Sequence, residues 1–424
     1  MNSFNKTSLA IALALVSSQA LSAGFQLNSQ SASGMGRANS GDAAIGDNAS
    51  VLARNPAAMS LFDKKSLSVG LTYVQPDVEV NDVTTNIDIG SVNNSADNRA
   101  IPNIYYIQPI NDKMSFGAGI FSNFGTGTDT TALVNANPNK VLPVDLLGNT
   151  EVLTINFNAS VSYKMNDYFT LGAGLDVIYG SGKLNREGNL PFGPNGALVP
   201  VKLVDVDADG VRVGGIIGAL FEFNQNNRIG VSYRMTPQFK VSGDLNIFVP
   251  QARRAAAYED LIIPLPDIFQ VGGFHQLTDK FAFHYTAQFT KWGDFDQITL
   301  EDGKLGSTSV PNRALKEYKW QDSWLYSVGG TYQLTNNIAI RAGYLFDNSV
   351  VDQLTSISIP DSDRNWYTVG ASYQIDPSSS VDFGFAIVRG KKTDINEASI
   401  VSGATTAHTV GHANYYSVQY NYSF

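Results

Sequence analysis

Cysteine is absent from the 424 residues, which excludes a disulfide scaffold and any thiolate chemistry. Charge is scarce too: 16% of residues are charged against 43% hydrophobic, a low density for a soluble chain of this length. Basic residues are in deficit, 29 against 38 acidic, giving a net charge of -9 and a pI near 4.9, so no nucleic-acid partner is expected. Long apolar runs are missing except near the N-terminus, and a membrane-spanning helix needs roughly 20 apolar residues. A bundle of such helices is therefore excluded. What the chain does have is 38 Gly, 19 Tyr, 23 Phe and 4 Trp, a composition that leaves a large soluble β protein or a membrane β-barrel.

The compartment is written in the first residues. Lys6 precedes an apolar stretch from Leu9 to Val16, and small residues follow. This pattern reads as a secretory signal peptide covering residues 1–22, with Ala20 and Ser22 supplying the small residues before the cleavage point.

After residue 62 the chain alternates. Leu153, Ile155, Phe157, Ala159, Val161 and Tyr163 take the odd positions, while Thr154, Asn156, Asn158, Ser160 and Ser162 take the even ones. Successive strand side chains point to opposite faces, so one face is apolar and the other polar but uncharged. A soluble sandwich would place charges on its outer face. Short polar turns at Asn111-Asp112, Asn166-Asp167, Asn224 to Asn227, Thr278-Asp279, Asn336-Asn337 and Asp376 to Ser380 each join two such runs. Between them lie seven longer segments, near 77–99, 125–150, 185–209, 243–264, 294–316, 347–364 and 389–413. These connections predict an all-β, 14-stranded antiparallel transmembrane barrel over residues 63–424, with short turns on one side and long loops on the other. The chain ends in Phe424 after Tyr416, Tyr420 and Tyr422, a terminus many outer-membrane barrels share. The expected location is the bacterial outer membrane, as a monomer in contact with outer-membrane lipid and lipopolysaccharide.

Residues 23–62 do not alternate and are rich in Gly, Ser, Asn and Ala. Their apolar content is too small for an independent core. A disordered tail, a small periplasmic domain or a plug inside the lumen are the three possibilities, and the polar composition suits a plug meeting polar lumen walls.

The string AGFQLNSQSASGMGRANSGDAAIGDNASVLARNPAAMSLFD at 23–63, with its Asn55-Pro56-Ala57 triplet, resembles the N-terminal hatch of the outer-membrane long-chain fatty-acid transporters, the FadL family, which also includes aromatic-hydrocarbon uptake channels. Matches continue through YVQPDVEV, PNIYYIQPIND, SNFGTGT, SISIPDSDRNW and INE. The resemblance implies a 14-stranded barrel with a lumenal hatch and an inward kink of strand three at Asn123, Phe124 and Gly125, opening a lateral gap. It also implies a tight lumenal pocket at Arg186, Lys316 and Asp347. Strand parity points Arg186 and Asp347 inward; Lys316 falls on the lipid-facing parity and reaches the lumen only through a bulge or a later strand start. A general lumenal charge network including Arg341, Asp363 and Arg364 is the alternative role.

Two of the long segments carry more apolar residues than a wet loop requires: Phe192, Leu198 and Val199 in one, Phe248, Val249, Leu261, Ile262 and Ile263 in the other. They form a loop mini-core, an extracellular groove that captures apolar molecules, or both, and the resemblance implies the groove. Arg253 and Arg254, nearby, suit a carboxylate or lipopolysaccharide phosphates, or simply water.

No catalytic reading gathers support. His284 has lumen parity and no accompanying nucleophile motif, His408 and His412 lack a third ligand, and no Gly-rich sequence opens a helix after a strand. No cofactor or metal is expected. Three functions remain: uptake of long-chain fatty acids or similar amphiphiles; uptake of aromatic hydrocarbons or another apolar nutrient; and a structural surface role as adhesin or phage receptor. Arg186 and Lys316 favour the first, because a hydrocarbon leaves a buried cation unpaired.

Overall fold

The computed structural model describes residues 24–137 and 142–424. The expected signal peptide and Ala23 lie outside the described residues. From residue 66 the chain forms a closed, 14-stranded antiparallel barrel. Its wall strands are β1 (Ser66–Thr84), β2 (Arg99–Pro109), β3 (Met114–Phe121, resuming at Gly125–Asp129), β4 (Asn149–Asn166), β5 (Phe169–Leu190), β6 (Val199–Asn224) and β7 (Asn227–Met235, resuming at Phe239–Val249). They continue as β8 (Ile268–Gln276), β9 (Phe281–Thr290), β10 (Ser323–Gln333), β11 (Ile338–Asp347), β12 (Arg364–Asp376), β13 (Ser379–Gly390) and β14 (Gly403–Ser423). Each pairs with its neighbours in sequence, and β14 closes on β1 from Ser66↔Ser423 to Asn81↔His408. Closure leaves no strand edge, which is the condition for a sheet in lipid.

Burial along the strands is inverted relative to a soluble protein. On β4, Thr154, Asn156, Asn158, Ser160 and Ser162 are buried, while Phe157, Val161 and Tyr163 are exposed. On β5 the exposed apolar positions run from Leu171 to Val177. The outward apolar band is the lipid-facing surface, and the buried polar face lines the lumen.

All six short turns fall where the sequence places them. The long segments are shorter as loops than the sequence suggests, because several are strands. Only residues 191–198 join β5 to β6, and strands at Arg254–Ala257, Asp260–Ile263, Gln297–Glu301, Gly303–Leu305, Thr308–Val310 and Arg313–Glu317 build a sheet beyond β7–β10. The outward face there carries Asp205, Asp207 and Asp209. With charge outside rather than apolar residues, the alternation lacks the lipid-facing signature and reads as polar loop.

Residues 24–62 are almost wholly buried and lie against inward-facing wall residues. A short helix, Ala32–Gly36, contacts β11–β14, and a 3-10 turn, Pro56–Leu61, contacts β3–β6. Wall glycines permit this approach: a Cβ on Gly230 would overlap the Ala43 carbonyl, and one on Gly370 would meet the backbone of Gly36. Charges complete the seating. Arg37 donates to Asp42 (2.8 Å) and Asp47 (2.7 Å), Asp47 also faces Arg341 (3.5 Å), and Arg234, paired with Asp176, donates to the Ala53 carbonyl (2.7 Å).

Candidate lumenal site and wall break

Arg186 lies near the outer end of β5, beyond the lipid-facing band, and points inward with its side chain buried. Its guanidinium donates to the carbonyls of Asn149 (2.7 Å) and Asn185 (2.8 Å) and to Thr150 Oγ1 (2.7 Å). All three acceptors are neutral; Asp145 and Asp129 act on it through space, and burial pulls its pKa down to about 10, so it stays charged at neutral pH. A buried cation held by neutral oxygens retains attraction for an anion.

Lys316 belongs to the outer strand Arg313–Glu317, whose pairing with Gln297–Glu301 shifts register between Ile298 and Thr299. The wall strand β10 starts only at Ser323. Both conditions that the parity argument set for an inward Lys316 are therefore present. Its ammonium contacts the carboxylate of Glu397, and it lies 5.9 Å from the Tyr318 ring centre. Burial and the nearby Arg186 push Lys316 below its ordinary value, while Asp145 opposes that pull. Asp347 is buried and stands opposite Arg364 in the β11–β12 ladder. There Arg364 pairs with Asp361 (2.7 Å) and Asp363 pairs with Lys391 (2.8 Å). Arg341 joins the charges that seat residues 24–62, as described above.

From the cations a row of aromatic rings leads toward the wall. Tyr318 meets Phe295 at 4.9 Å, Phe295 meets Phe25 at 5.2 Å, and Phe25 meets Phe124 at 6.0 Å. Trp292 and Trp320 flank the row, 4.8 and 5.8 Å from Phe25.

The row ends where the wall is interrupted. β3 stops at Phe121, and its continuation Gly125–Asp129 forms a ladder, among the described residues, with β4 alone, from Gly125↔Leu153 to Asp129↔Asn149. On the other side, residues 99–103 of β2 pair with β1, and pairing to β3 begins at Ile104↔Ile120. Among the described residues, 99–103 and 125–129 share no ladder. Asn123, Phe124 and Gly125 turn instead to the N-terminal segment: Leu27 N–H donates to the Asn123 carbonyl (2.7 Å) and Gly125 N–H to the Phe25 carbonyl (2.9 Å). The triplet residues sit deeper. Asn55 Oδ1 caps the 3-10 turn by accepting from Ala57 N–H (3.0 Å), Pro56 opens it, and Asn55 Nδ2 donates to the carbonyls of Ala43 (2.8 Å) and Ala219 (2.9 Å).

On the outer side, Phe192 and Phe248 meet at 5.5 Å and pack on a cluster that includes Leu133, Leu142, Leu190 and Leu203. Leu261 and Ile263 are core residues, with Val249 packed against that core; Ile262 and Val199 are half-buried, and Leu198 is exposed. The two segments thus close on each other by a mini-core, and a groove of about 410 Å³ opens on the other flank, between Val134, Leu142, Gly188, Pro200, Val201 and Lys202. Arg254 donates to the Leu305 carbonyl (3.2 Å), and Arg253 is exposed. His284 is buried against residues 24–62, next to Gly41, and His408 contacts Asp394 (2.6 Å).

Sequence reasoning passed over Glu397, Trp292, Phe295, Tyr318 and Trp320. The aromatics carry a signal: WGDF at 292–295 and YKW at 318–320 interrupt the alternation at the outer ends of β9 and β10 with large rings.

Comparison with known proteins places the chain in a family and matches its barrel fold. The family described as outer membrane protein transport protein (OMPP1/FadL/TodX) matches residues 13–424. The long-chain fatty acid transport protein of Salmonella typhi is 32% identical over 446 residues, 99% of each chain, and the 47 kDa outer membrane protein of Pasteurella multocida is 34% identical over 442 residues, again 99% of each. Among solved structures, a Pseudomonas aeruginosa FadL homologue superposes with a TM-score of 0.82 at 22% identity, covering 95% of this chain and 100% of that one. The Pseudomonas putida toluene transporter TodX gives 0.66 at 18% identity, covering 89% and 94%. Sequence and barrel together show that this chain, an outer-membrane β-barrel, belongs to the OMPP1/FadL/TodX family of outer-membrane transport proteins.

Proposed function

We propose that the protein takes up long-chain fatty acids or similar amphiphiles: apolar loops capture the ligand, a lumenal pocket at Arg186 and Lys316 receives it, and it leaves sideways through the break in β3. The observation that carries this reading is the continuous row from the basic side chains of Arg186 and Lys316, through Tyr318, Phe295 and Phe25, to Phe124 at the break. A carboxylate head suits the cations and an apolar tail suits the rings. Residues 24–62 act as the hatch, since their seating in the lumen leaves an aqueous passage obstructed. Curated relatives are long-chain fatty acid transport proteins, which favours the same substrate class.

Uptake of aromatic hydrocarbons is the second reading. The flanking Trp292 and Trp320 rings favour it, and solved neighbours include toluene transporters. Growth of a deletion strain complemented with this protein, on oleate or on toluene as carbon source, separates the two. Oleate-dependent growth with direct oleate binding is the expected result; toluene-dependent growth alone would replace fatty acid by hydrocarbon.

A further inference from the structure

We propose that Glu397 is a specificity-determining residue: its carboxylate occupies Lys316 as an internal substitute for the ligand's head group, and an incoming carboxylate exchanges with it. This inference rests on the fatty-acid reading above. Glu397 lies on the strand Thr393–Ser399, which pairs with β14 and carries the side chain over the outer end of the lumen. One carboxylate oxygen contacts the Lys316 ammonium, with side chains only 21% and 10% exposed; the other accepts from Ile357 N–H (3.0 Å). The adjacent Asn396 N–H donates to Thr355 Oγ1 (2.9 Å), so the strand's backbone and the Glu397 carboxylate are each tied to the irregular segment between β11 and β12.

The local charge count is uneven. Among the described residues, Lys316 has a carboxylate in contact, whereas the hydrogen-bond acceptors of Arg186 are neutral. The two other acids near Arg186 are engaged elsewhere, Asp145 by Ser399 Oγ (2.5 Å) and Ile400 N–H (2.8 Å) and Asp129 by Thr131 N–H (2.8 Å). A ligand carboxylate entering between the cations finds Arg186 available and Lys316 occupied. Stripping a buried ammonium of its partner is strongly unfavourable, so a head group that left Lys316 with nothing behind it would be slow to leave. Glu397 keeps the ammonium paired in the empty state, which makes carboxylate binding exchangeable and weakens it relative to an unopposed site. A neutral head group does not compete for Lys316 and is indifferent to Glu397. A purely structural clasp between the two outer strands predicts something else, an equal effect on all ligands.

The test uses the purified full-length protein in detergent with oleate and oleyl alcohol as probes. Glu397→Gln keeps the side-chain shape and removes the competing charge. Exchange predicts oleate affinity rising about tenfold or more, oleyl alcohol unchanged, and no gain when Glu397→Gln is made in a Lys316→Met background. A second readout needs no variant: a carbodiimide joins a contacting ammonium and carboxylate as an amide, so wild-type protein should yield a Lys316–Glu397 cross-linked peptide by mass spectrometry. Oleate should suppress it and oleyl alcohol should not. Parallel changes in both affinities, or a cross-link that persists at saturating oleate, overturn the exchange. Wild-type protein that binds neither probe overturns the fatty-acid reading itself, and the exchange falls with it.

Discussion

Arg186 shows how much one side chain can report. Strand parity alone points it into the lumen, because β5 alternates without interruption from Thr170 to Arg186; what parity does not give is its set of neutral acceptors. Those acceptors leave its charge free to add a charge-assisted hydrogen bond, worth roughly 1.5 to 3 kcal/mol, or about ten- to a hundredfold in affinity. Arg186→Ala should therefore weaken oleate binding by about that factor, measured by titration, and leave a long-chain alcohol nearly unaffected. Equal losses for both ligands would assign Arg186 to pocket shape. Lys316 was legible only conditionally. Its parity was wrong for the lumen, and the register shift at Ile298 and the late start of β10 are set by pairing between distant strands, which no local pattern records. Glu397 was illegible for the same reason: its partner is 81 positions away in sequence, on another strand.

At the level of elements, legibility follows the environment of each face. Where strands cross lipid, apolar outward residues alternate with polar lumenal ones, and the turns can be counted. Beyond the membrane the outward face is wet, Asp205, Asp207 and Asp209 replace the apolar positions, and strands such as Gln297–Glu301 pass for loop. Residues 24–62 offered no period at all, and their placement could only be argued by elimination and resemblance. They do offer capping chemistry: Asn48 caps Ala49–Ala53, and Asn55 followed by Pro56 opens Pro56–Leu61. Asn55 does more than cap, since its amide also bonds Ala43 and the wall carbonyl of Ala219. Asn55→Ala loses the cap and both donations, about 2 kcal/mol in local stability, so amide exchange over residues 43–58 should speed roughly thirtyfold. Uptake should fall while the barrel still migrates as a folded species on unheated gels. Unchanged exchange would mean that the glycine-lined contacts and ion pairs alone hold the segment.

For the molecule as a whole the decisive question is where an apolar ligand goes. The closed ladder from β1 to β14 is required by lipid, and residues 24–62 are almost wholly buried against inward-facing wall residues, with Phe25 part of the aromatic row. Passage straight down would deliver the tail to water, and at about 0.8 kcal/mol per CH₂ a sixteen-carbon tail strongly prefers hydrocarbon. At the end of the row, 99–103 of β2 and 125–129 of β3 are adjacent wall segments that share no ladder among the described residues. Sideways release there keeps the tail out of water throughout. Because the chain has no cysteine of its own, two introduced cysteines, one in 99–103 and one in 125–127, give an unambiguous pin. Oxidised, this variant should bind oleate normally and fail to transport it; reduced, it should regain uptake. Gly125→Arg should likewise block uptake with binding retained, since it sets a long charged side chain at the break. Transport at the normal rate by the oxidised variant, together with free fatty-acid flux after deletion of residues 24–62, would place the exit at the periplasmic mouth instead.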